Sequence, residues 1–112
     1  MASKAVHIPW YANGFRGDSL QEAIEEIAVV ALRYGATSYA VYRGQDDRYK
    51  FLQVAEFASK ADWNRYWNGP EFIRFRTVTS GWWQVPILYS WHDVAASGAM
   101  PANGEALAEG AA

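Results

Sequence analysis

The sequence predicts an α+β domain whose elements follow in the order strand, helix, strand, strand, helix, strand. Three observations support this order: one segment with helical apolar spacing, two β-branched and aromatic segments around a polar turn, and a second helical segment before a final apolar one. This is the ferredoxin-like βαββαβ plan, a four-stranded antiparallel sheet with both helices on one face. We therefore expect one ferredoxin-like domain over residues 1–94 of the 112-residue chain.

The first strand is predicted at residues 6–11, followed by a turn at Asn13-Gly14. Residues 19–22, Ser-Leu-Gln-Glu, have the pattern of a capping box, in which hydroxyl and carboxylate bond the free amides of a helix start. Apolar side chains recur behind it at helical spacing, and Gly35 is suited to a left-handed stop. The first helix is therefore expected at 19–34. Pro9 conflicts with a central strand, so it should lie at a bulge or a strand end, or the strand should be shorter.

Residues 37–43 and 49–57 predict a hairpin around a polar turn. A second helix opens at Ser59 and is interrupted at Asn68-Gly69, and Pro70 suits the first turn of a new helical piece that runs to about residue 79. A final strand is predicted at 82–91. Its alternating residues, like those of strand 49–57, are apolar on both faces, so we expect a second copy to cover the open face of the sheet in a homodimer.

Composition restricts the function further. A net charge of −2 argues against a nucleic-acid or anionic-membrane partner, and no signal pattern or long apolar run is present. The absence of cysteine fits a cytoplasmic protein. Residues 95–112 are mostly Ala, Gly, Pro, Asn and Glu and predict a disordered tail. Six Trp, seven Tyr and five Phe are more rings than one small core absorbs, so some should line a pocket or an interface.

Five rings surround the Asn68-Gly69-Pro70 break, in the segment 62–75. This segment, the Ala-Glu-Phe end of strand 49–57 and the element order resemble the antibiotic biosynthesis monooxygenase superfamily of dimeric α/β barrels, over roughly residues 5–93. The segment is also similar to the mycobacterial-type haem-degrading monooxygenases, which have a similar Asn-Gly-Pro sequence. Their haem-ligating histidine would fall on Phe75, which cannot ligate iron, their tryptophan on Tyr66 and their first-strand asparagine on His7. The resemblance therefore implies the fold without that haem chemistry.

His7 is the predicted general base, because it is the one group of near-neutral pKa expected to face the cavity. Its alternative role is that of a half-exposed strand residue. Trp63 is expected to share one helix face with either Tyr66 or Trp67, and the Tyr66 hydroxyl is predicted to orient a substrate oxygen. The predicted substrate-binding residues are Trp63, Trp67, Asn68, Phe72, Phe75, Trp83 and Tyr89.

Other residues have more ordinary interpretations. Asn68 is also a natural turn or cap residue, and His92 a rim residue. Arg65, Arg74 and Arg76 are spread around the second helix and indicate a solvated face, or alternatively a contact to an acidic ligand. The two histidines are far apart in sequence, no His/Glu pair has ligand spacing and no Gly-rich phosphate loop is present, so we expect no metal and no organic cofactor.

Two functions follow as hypotheses. The first is a cofactor-independent monooxygenase or related enzyme, in which His7 takes a proton from a flat aromatic substrate whose carbanion reduces O₂ in a dry pocket. The second is a non-catalytic dimeric module that binds an apolar small molecule or a partner. A third interpretation, haem bound by His7 or His92, predicts a Soret shift with hemin.

Overall fold

A computed structural model describes residues 3–101. The strands are β1 (Lys4–Tyr11), β2 (Ala36–Arg43), β3 (Lys50–Phe57) and β4 (Ser90–Asp93). The helices are α1 (Gly17–Val30), continued by a 3₁₀ turn (Ala31–Tyr34), α2 (Lys60–Trp67) and α3 (Pro70–Val78). The strands form one antiparallel sheet in the order β2-β3-β1-β4. The predicted ferredoxin-like α+β fold is confirmed, including the break of the second helix at Asn68-Gly69.

The core lies between the sheet and the helices. In β1 the buried side chains are Val6, Ile8 and Trp10, while β3 buries Phe51, Gln53, Ala55 and Phe57. Of the intervening residues of β3, Leu52, Val54 and Glu56 are partly buried and Lys50 is exposed, and all four point to the outer face, away from the helices. Both faces of the central strands are therefore largely apolar, as the sequence predicts.

The predicted capping box is wrong. Helix α1 begins at Gly17, and Ser19 lies inside its first turn, where it makes no cap. The first turn is held instead by Arg43 of β2, whose guanidinium donates to Asp18 Oδ1 at 2.8 Å and to Gln21 Oε1 at 2.9 Å. The predicted end is confirmed: Gly35 has φ +100°, a conformation that favours glycine.

The predicted final strand at 82–91 is also wrong. Within residues 82–93, Ser90–Asp93 form a strand that pairs with β1, and Trp83 makes a separate bridge to Ala12. If the register of the His7–Ser90 pair continued, Val85 would lie opposite Ala12. Trp83 lies there instead, so the segment between Trp83 and Ser90 contains two residues more than regular pairing allows. Prolines at 9 and 86 cannot donate ladder hydrogen bonds, which explains the interruption. Pro9 itself lies beyond the end of β4 and opposes only Leu52 of β3, so a full-length central β1 accommodates it.

The predicted tail extends past the described part of the chain. Residues 95–101 have no regular secondary structure, and residues 102–112 lie outside the described residues. Within residues 3–101, no helix is long and apolar enough to span a membrane.

Candidate functional site

The break between α2 and α3 depends on Gly69. Helix α2 is capped by the Ser59 hydroxyl, which accepts from the Asp62 amide at 3.2 Å. Gly69 is the N-cap of α3, and a Cβ there would lie 2.8 Å from the Arg65 carbonyl oxygen and 2.6 Å from the Tyr34 hydroxyl. Because no side chain fits this approach, glycine lets α3 turn directly out of α2. The turn brings the rings of both helices onto one cluster.

The Tyr66 hydroxyl is part of the core. It donates to the Ile27 carbonyl at 2.5 Å and accepts from Gln53 Nε2 at 3.0 Å, while Gln53 Oε1 accepts from Trp10 Nε1 at 3.0 Å. Burial raises the pKa of Tyr66 well above its usual value, so the hydroxyl stays protonated. This network occupies both the donor and an acceptor position of the hydroxyl, and Tyr66 is 1% exposed. The surroundings of Tyr66 therefore do not favour its predicted role, in which the hydroxyl orients a substrate oxygen.

Most of the predicted ring wall packs against itself. Trp63 and Phe72 are fully buried, and Trp67 is partly buried between them, with ring centroids 5.3 Å and 4.7 Å away. Tyr89 is 40% exposed and packs against Trp63 and Trp67. Both Trp63 and Tyr66 face inward, the first of the two arrangements considered from the sequence. We name Trp63, Trp67, Phe72 and Tyr89 the ring stack.

An open groove lies on the other side of α3, between α3 and α1. Its volume is about 340 Å³. Phe75, predicted for substrate binding, lies in it, and so does Thr79, whose hydroxyl accepts from Trp83 Nε1 at 2.8 Å. Trp83 is partly buried and stands edge-on to Trp10, beneath Thr79. The residues that line the groove are Ala23, Glu26, Ile27, Val30, Glu71, Arg74, Phe75, Val78 and Thr79. We call it the α1–α3 groove.

Two carboxylates border this groove. The Tyr34 hydroxyl donates to Glu71 Oε1 at 2.5 Å, and Arg33 lies 3.7 Å from the other oxygen. The Tyr34 hydrogen bond lowers the pKa of Glu71, which makes it a weak base. Glu26 is exposed on α1 and makes no ion pair with the described residues. Of the two carboxylates, Glu26 is therefore the one without a charged partner among the described residues.

His7 lies on the outer face of the sheet, opposite to the groove and the ring stack. It opposes Val54 on β3 and Ser90 on β4, and its ring centroid is 4.4 Å from that of His92. Burial and, to a lesser degree, the neighbouring His92 lower the pKa of His7. His92 Nε2 is 2.7 Å from the Ser90 hydroxyl. The described residues thus bring the two histidines together, but they separate His7 from all the predicted ring residues.

Asn68 has the turn role that the sequence also indicates. Its side-chain amide donates to the Asn64 carbonyl at 2.9 Å and caps the end of α2. Within residues 3–101, no group of three or more His, Cys, Asp or Glu side chains could hold a metal ion.

The sequence reasoning overlooked the polar residues of both regions. Gln53 falls on the buried face of β3 by parity, and a buried amide needs partners, which was the available signal. Glu26 and Thr79 have no such signal, because only the packing of α1 against α3 makes them neighbours. The sequence places Arg76 with Arg65 and Arg74 on a solvated face, whereas its guanidinium carbon lies 4.3 Å from the centroid of the Trp67 ring.

Solved structures share this fold. A protein from Nitrosomonas europaea, whose name provisionally assigns it to the antibiotic biosynthesis monooxygenases, is 12% identical with a TM-score of 0.76, over 86% of this chain and 94% of that one. A protein of unknown function from the same organism is 16% identical with a TM-score of 0.75, over 91% and 97%. A variant of SnoaB, named a cofactor-independent oxygenase from Streptomyces nogalater, is 13% identical with a TM-score of 0.66, over 88% and 97%.

No protein-family model matches the sequence, and no curated protein matches it either. At identities of 10–16%, the likeness to these solved structures shows the fold. The chain has the ferredoxin-like fold of proteins named as antibiotic biosynthesis monooxygenases.

Proposed function

We propose that this protein is a cofactor-independent monooxygenase that binds a flat, apolar aromatic molecule in the α1–α3 groove. The observation that carries the proposal is the groove itself, an open space of about 340 Å³ with an apolar floor and a few polar groups at its edge. Its size and lining suit a small aromatic ligand. The fold is shared with SnoaB, which is named a cofactor-independent oxygenase, and this supports the choice of reaction.

The reaction needs no external reductant when the substrate is an anthrone-like ring ketone. A base removes one proton from the ring methylene, and the resulting carbanion gives electrons to O₂. The methylene carbon becomes a carbonyl with one oxygen atom, and the other leaves as water together with the two methylene hydrogens. An apolar groove suits this step because its floor favours charge spread over the rings of the bound substrate.

The proton acceptor has two candidates. Glu26 lines the groove directly, while His7, the residue predicted from the sequence, lies across the sheet. A general base acts within hydrogen-bond reach of its proton, directly or through one water. The geometry therefore favours Glu26, and the assignment of His7 remains a prediction that the same assay tests.

Oxygen consumption with anthrone tests the proposal. Ile27→Trp should fill the groove and abolish turnover, and Glu26→Gln should lower the rate by 10²-fold or more, the usual scale for a lost general base. Glu25→Gln is the matched control, because Glu25 lies on the same helix and bonds Gln21 outside the groove. If Glu26→Gln had the wild-type rate and His7→Ala showed a large loss, His7 would be identified as the general base.

The second candidate is a non-catalytic module that binds an apolar small molecule. The separation of His7 from every predicted ring residue favours it, since no histidine lines the groove. Anthraquinone, which cannot be oxygenated in this way, distinguishes the two functions. Calorimetric binding of anthraquinone, lost in Ile27→Trp and without any turnover of anthrone, would support the binding module over the enzyme.

We also propose that the outer face of the sheet is covered by a second copy. Its central residues are partly buried or exposed although apolar: Pro9, Ala40, Tyr42, Leu52 and Val54. Contiguous apolar patches of this kind mark association surfaces. His7, on the central strand β1, and His92, on the edge strand β4, lie on this face, so in such a homodimer they would be close to the partner and not to the groove.

A further inference from the structure

Arg76 is a cation without a counterion in the described part of the chain. It lies on α3, on the side away from the α1–α3 groove, with its guanidinium carbon 4.3 Å from the Trp67 ring centroid and 5.1 Å from that of Phe72. The other charged residues of α3 differ from it. Glu71 is paired to Tyr34 and Arg33, and Arg74 is exposed at the groove.

The guanidinium donates no hydrogen bond to any of residues 3–101, although it carries five N–H donors. Its Nη1 atom is also buried from solvent. A buried donor that lacks an acceptor costs about 1–3 kcal/mol, and more when it is charged. The contacts with two ring faces compensate for part of this cost but leave the in-plane N–H groups unpaired.

A second unpaired donor belongs to the same ring stack. Trp63 is fully buried, and its indole Nε1 has no hydrogen-bond partner. The rings of Trp63 and Trp67 are stacked with centroids 5.3 Å apart. Among the described residues, Trp63 Nε1 and Arg76 Nη1 are the buried side-chain polar atoms without a partner, and both of their residues contact Trp67.

The ring stack is accessible from solvent at Tyr89. This side chain is 40% exposed and belongs to the segment between Trp83 and β4 that has no regular pairing with β1. It covers Trp63 at 4.9 Å and Trp67 at 5.2 Å between centroids. A small molecule could therefore reach the Trp67 side of the stack by displacing one side chain, with no rearrangement of a helix or paired strand.

We propose that Arg76, held against Trp67, binds the carboxylate of a flat aromatic acid whose rings lie on the ring stack. A guanidinium and a carboxylate match in a planar, two-bond geometry, and the aromatic surroundings add stacking area. Trp63 Nε1 is the second donor for a ligand oxygen. One positive charge matches one carboxylate, whereas a phosphate dianion would leave excess negative charge among the rings. This site is separate from the α1–α3 groove and does not depend on the proposed function.

Calorimetric titration of the full chain with 2-naphthoate and with 2-naphthalenemethanol tests the site, because the two ligands share their rings and differ in charge. Wild type should bind the acid at least tenfold more tightly than the alcohol. Arg76→Gln should remove this preference and leave the alcohol unchanged. Arg65→Gln is the control, with the same charge change on the neighbouring helix α2, where Arg65 pairs with Asp62 outside the groove and the ring stack, and it should behave as wild type.

Two further measurements keep the test decisive. The indole N–H resonance of Trp63, assigned with Trp63→Phe, should move downfield with naphthoate, as expected when a free donor gains an acceptor. Arg76→Lys keeps the charge but loses the planar, two-bond geometry of the guanidinium. It replaces the glutamine variant if that variant does not fold, and it should weaken naphthoate binding severalfold.

Equal affinities for acid and alcohol in wild type, or a naphthoate affinity that Arg76→Gln does not change, would overturn the proposal. Failure of anthrone turnover would not affect this proposal. Anthrone is neutral and tests the α1–α3 groove, whereas the carboxylate site is tested with a charged ligand and with variants of Arg76 on the other side of α3.

Discussion

The Tyr66 hydroxyl and the His7 imidazole show how surroundings decide what one side chain does. Both are plausible catalytic groups by residue type. Tyr66, however, connects α1, α2 and β3 through Ile27 and Gln53, and His7 lies beside His92 on the outer face. Their positions assign the first to the core and the second to the open face of the sheet.

Tyr66→Phe should destabilise the fold. The change leaves the Ile27 carbonyl and Gln53 amide short of a partner in a buried network, which costs about 1–3 kcal/mol. Urea unfolding followed by tryptophan fluorescence measures the loss. Tyr39→Phe is the matched control, because Tyr39 is 41% exposed and makes no side-chain hydrogen bond with the described residues, and it should change stability by less than about 0.5 kcal/mol. Equal effects of the two changes would show that the network contributes nothing.

His7 should make the protein less stable in mild acid. In the folded protein the pKa of His7 lies below its ordinary value of 6.5, so between these two values the unfolded chain binds more protons than the folded one. The free energy of unfolding contributed by His7 is complete above pH 6.5 and is lost as the pH falls towards the folded pKa, with a slope below about 1.4 kcal/mol per pH unit.

Urea unfolding at a series of pH values measures this slope, and His7→Asn should reduce it. His92→Asn should reduce it only in part, because burial is the larger cause of the lowered pKa and the His92 charge the smaller. A slope that is the same in wild type and His7→Asn would contradict the assignment.

At the scale of elements, helix starts were predicted correctly where the signal was local and incorrectly where another element intervened. Ser59 caps α2 as expected, since its hydroxyl needs only the next turn of its own chain. Ser19 does not cap α1, because Arg43 from β2 holds that turn and the helix begins two residues earlier. In the same way β4 is shorter than predicted. Its pairing with β1 is interrupted because Pro9 of β1 cannot donate a ladder hydrogen bond.

Ser59→Ala should therefore cost about 1 kcal/mol of stability, the usual value of a lost N-cap. Ser19→Ala is the matched control and should leave stability unchanged or slightly raised, since alanine is the better helix former inside a helix. Thermal unfolding by circular dichroism compares both variants with wild type. A larger loss in Ser19→Ala than in Ser59→Ala would restore the capping box and contradict the observed start of α1.

At the scale of the whole molecule, the sheet has one face covered by helices and one apolar face open. The proposed homodimer would cover the open face, and the proposed groove and carboxylate site would remain on the helical side of each copy. The groove and the carboxylate site also lie on opposite sides of α3, so one ligand would not obstruct the other.

Val54→Arg should break the dimer, because it places a charge in the middle of the outer face. Light scattering should give about twice the chain mass of 12.6 kDa for wild type and the single mass for the variant. Val29→Arg is the matched control, because Val29 is 44% exposed on α1 in the helical layer, and it should leave the mass doubled. A wild-type mass near 12.6 kDa would disprove the dimer.

The sequence by itself determined the order of the elements, the helix break at Asn68-Gly69-Pro70 and the left-handed end at Gly35. These features depend on periodicity and on local backbone chemistry, which each segment carries alone. Tertiary structure alone decided that the rings of residues 63–72 fill a stack, that Glu26 and Phe75 share a groove, and that His7 faces away from both. It also left Arg76 on Trp67 without an acceptor among residues 3–101. The physical reason is that a contact between two elements depends on how their faces pack, and neither segment encodes that separately.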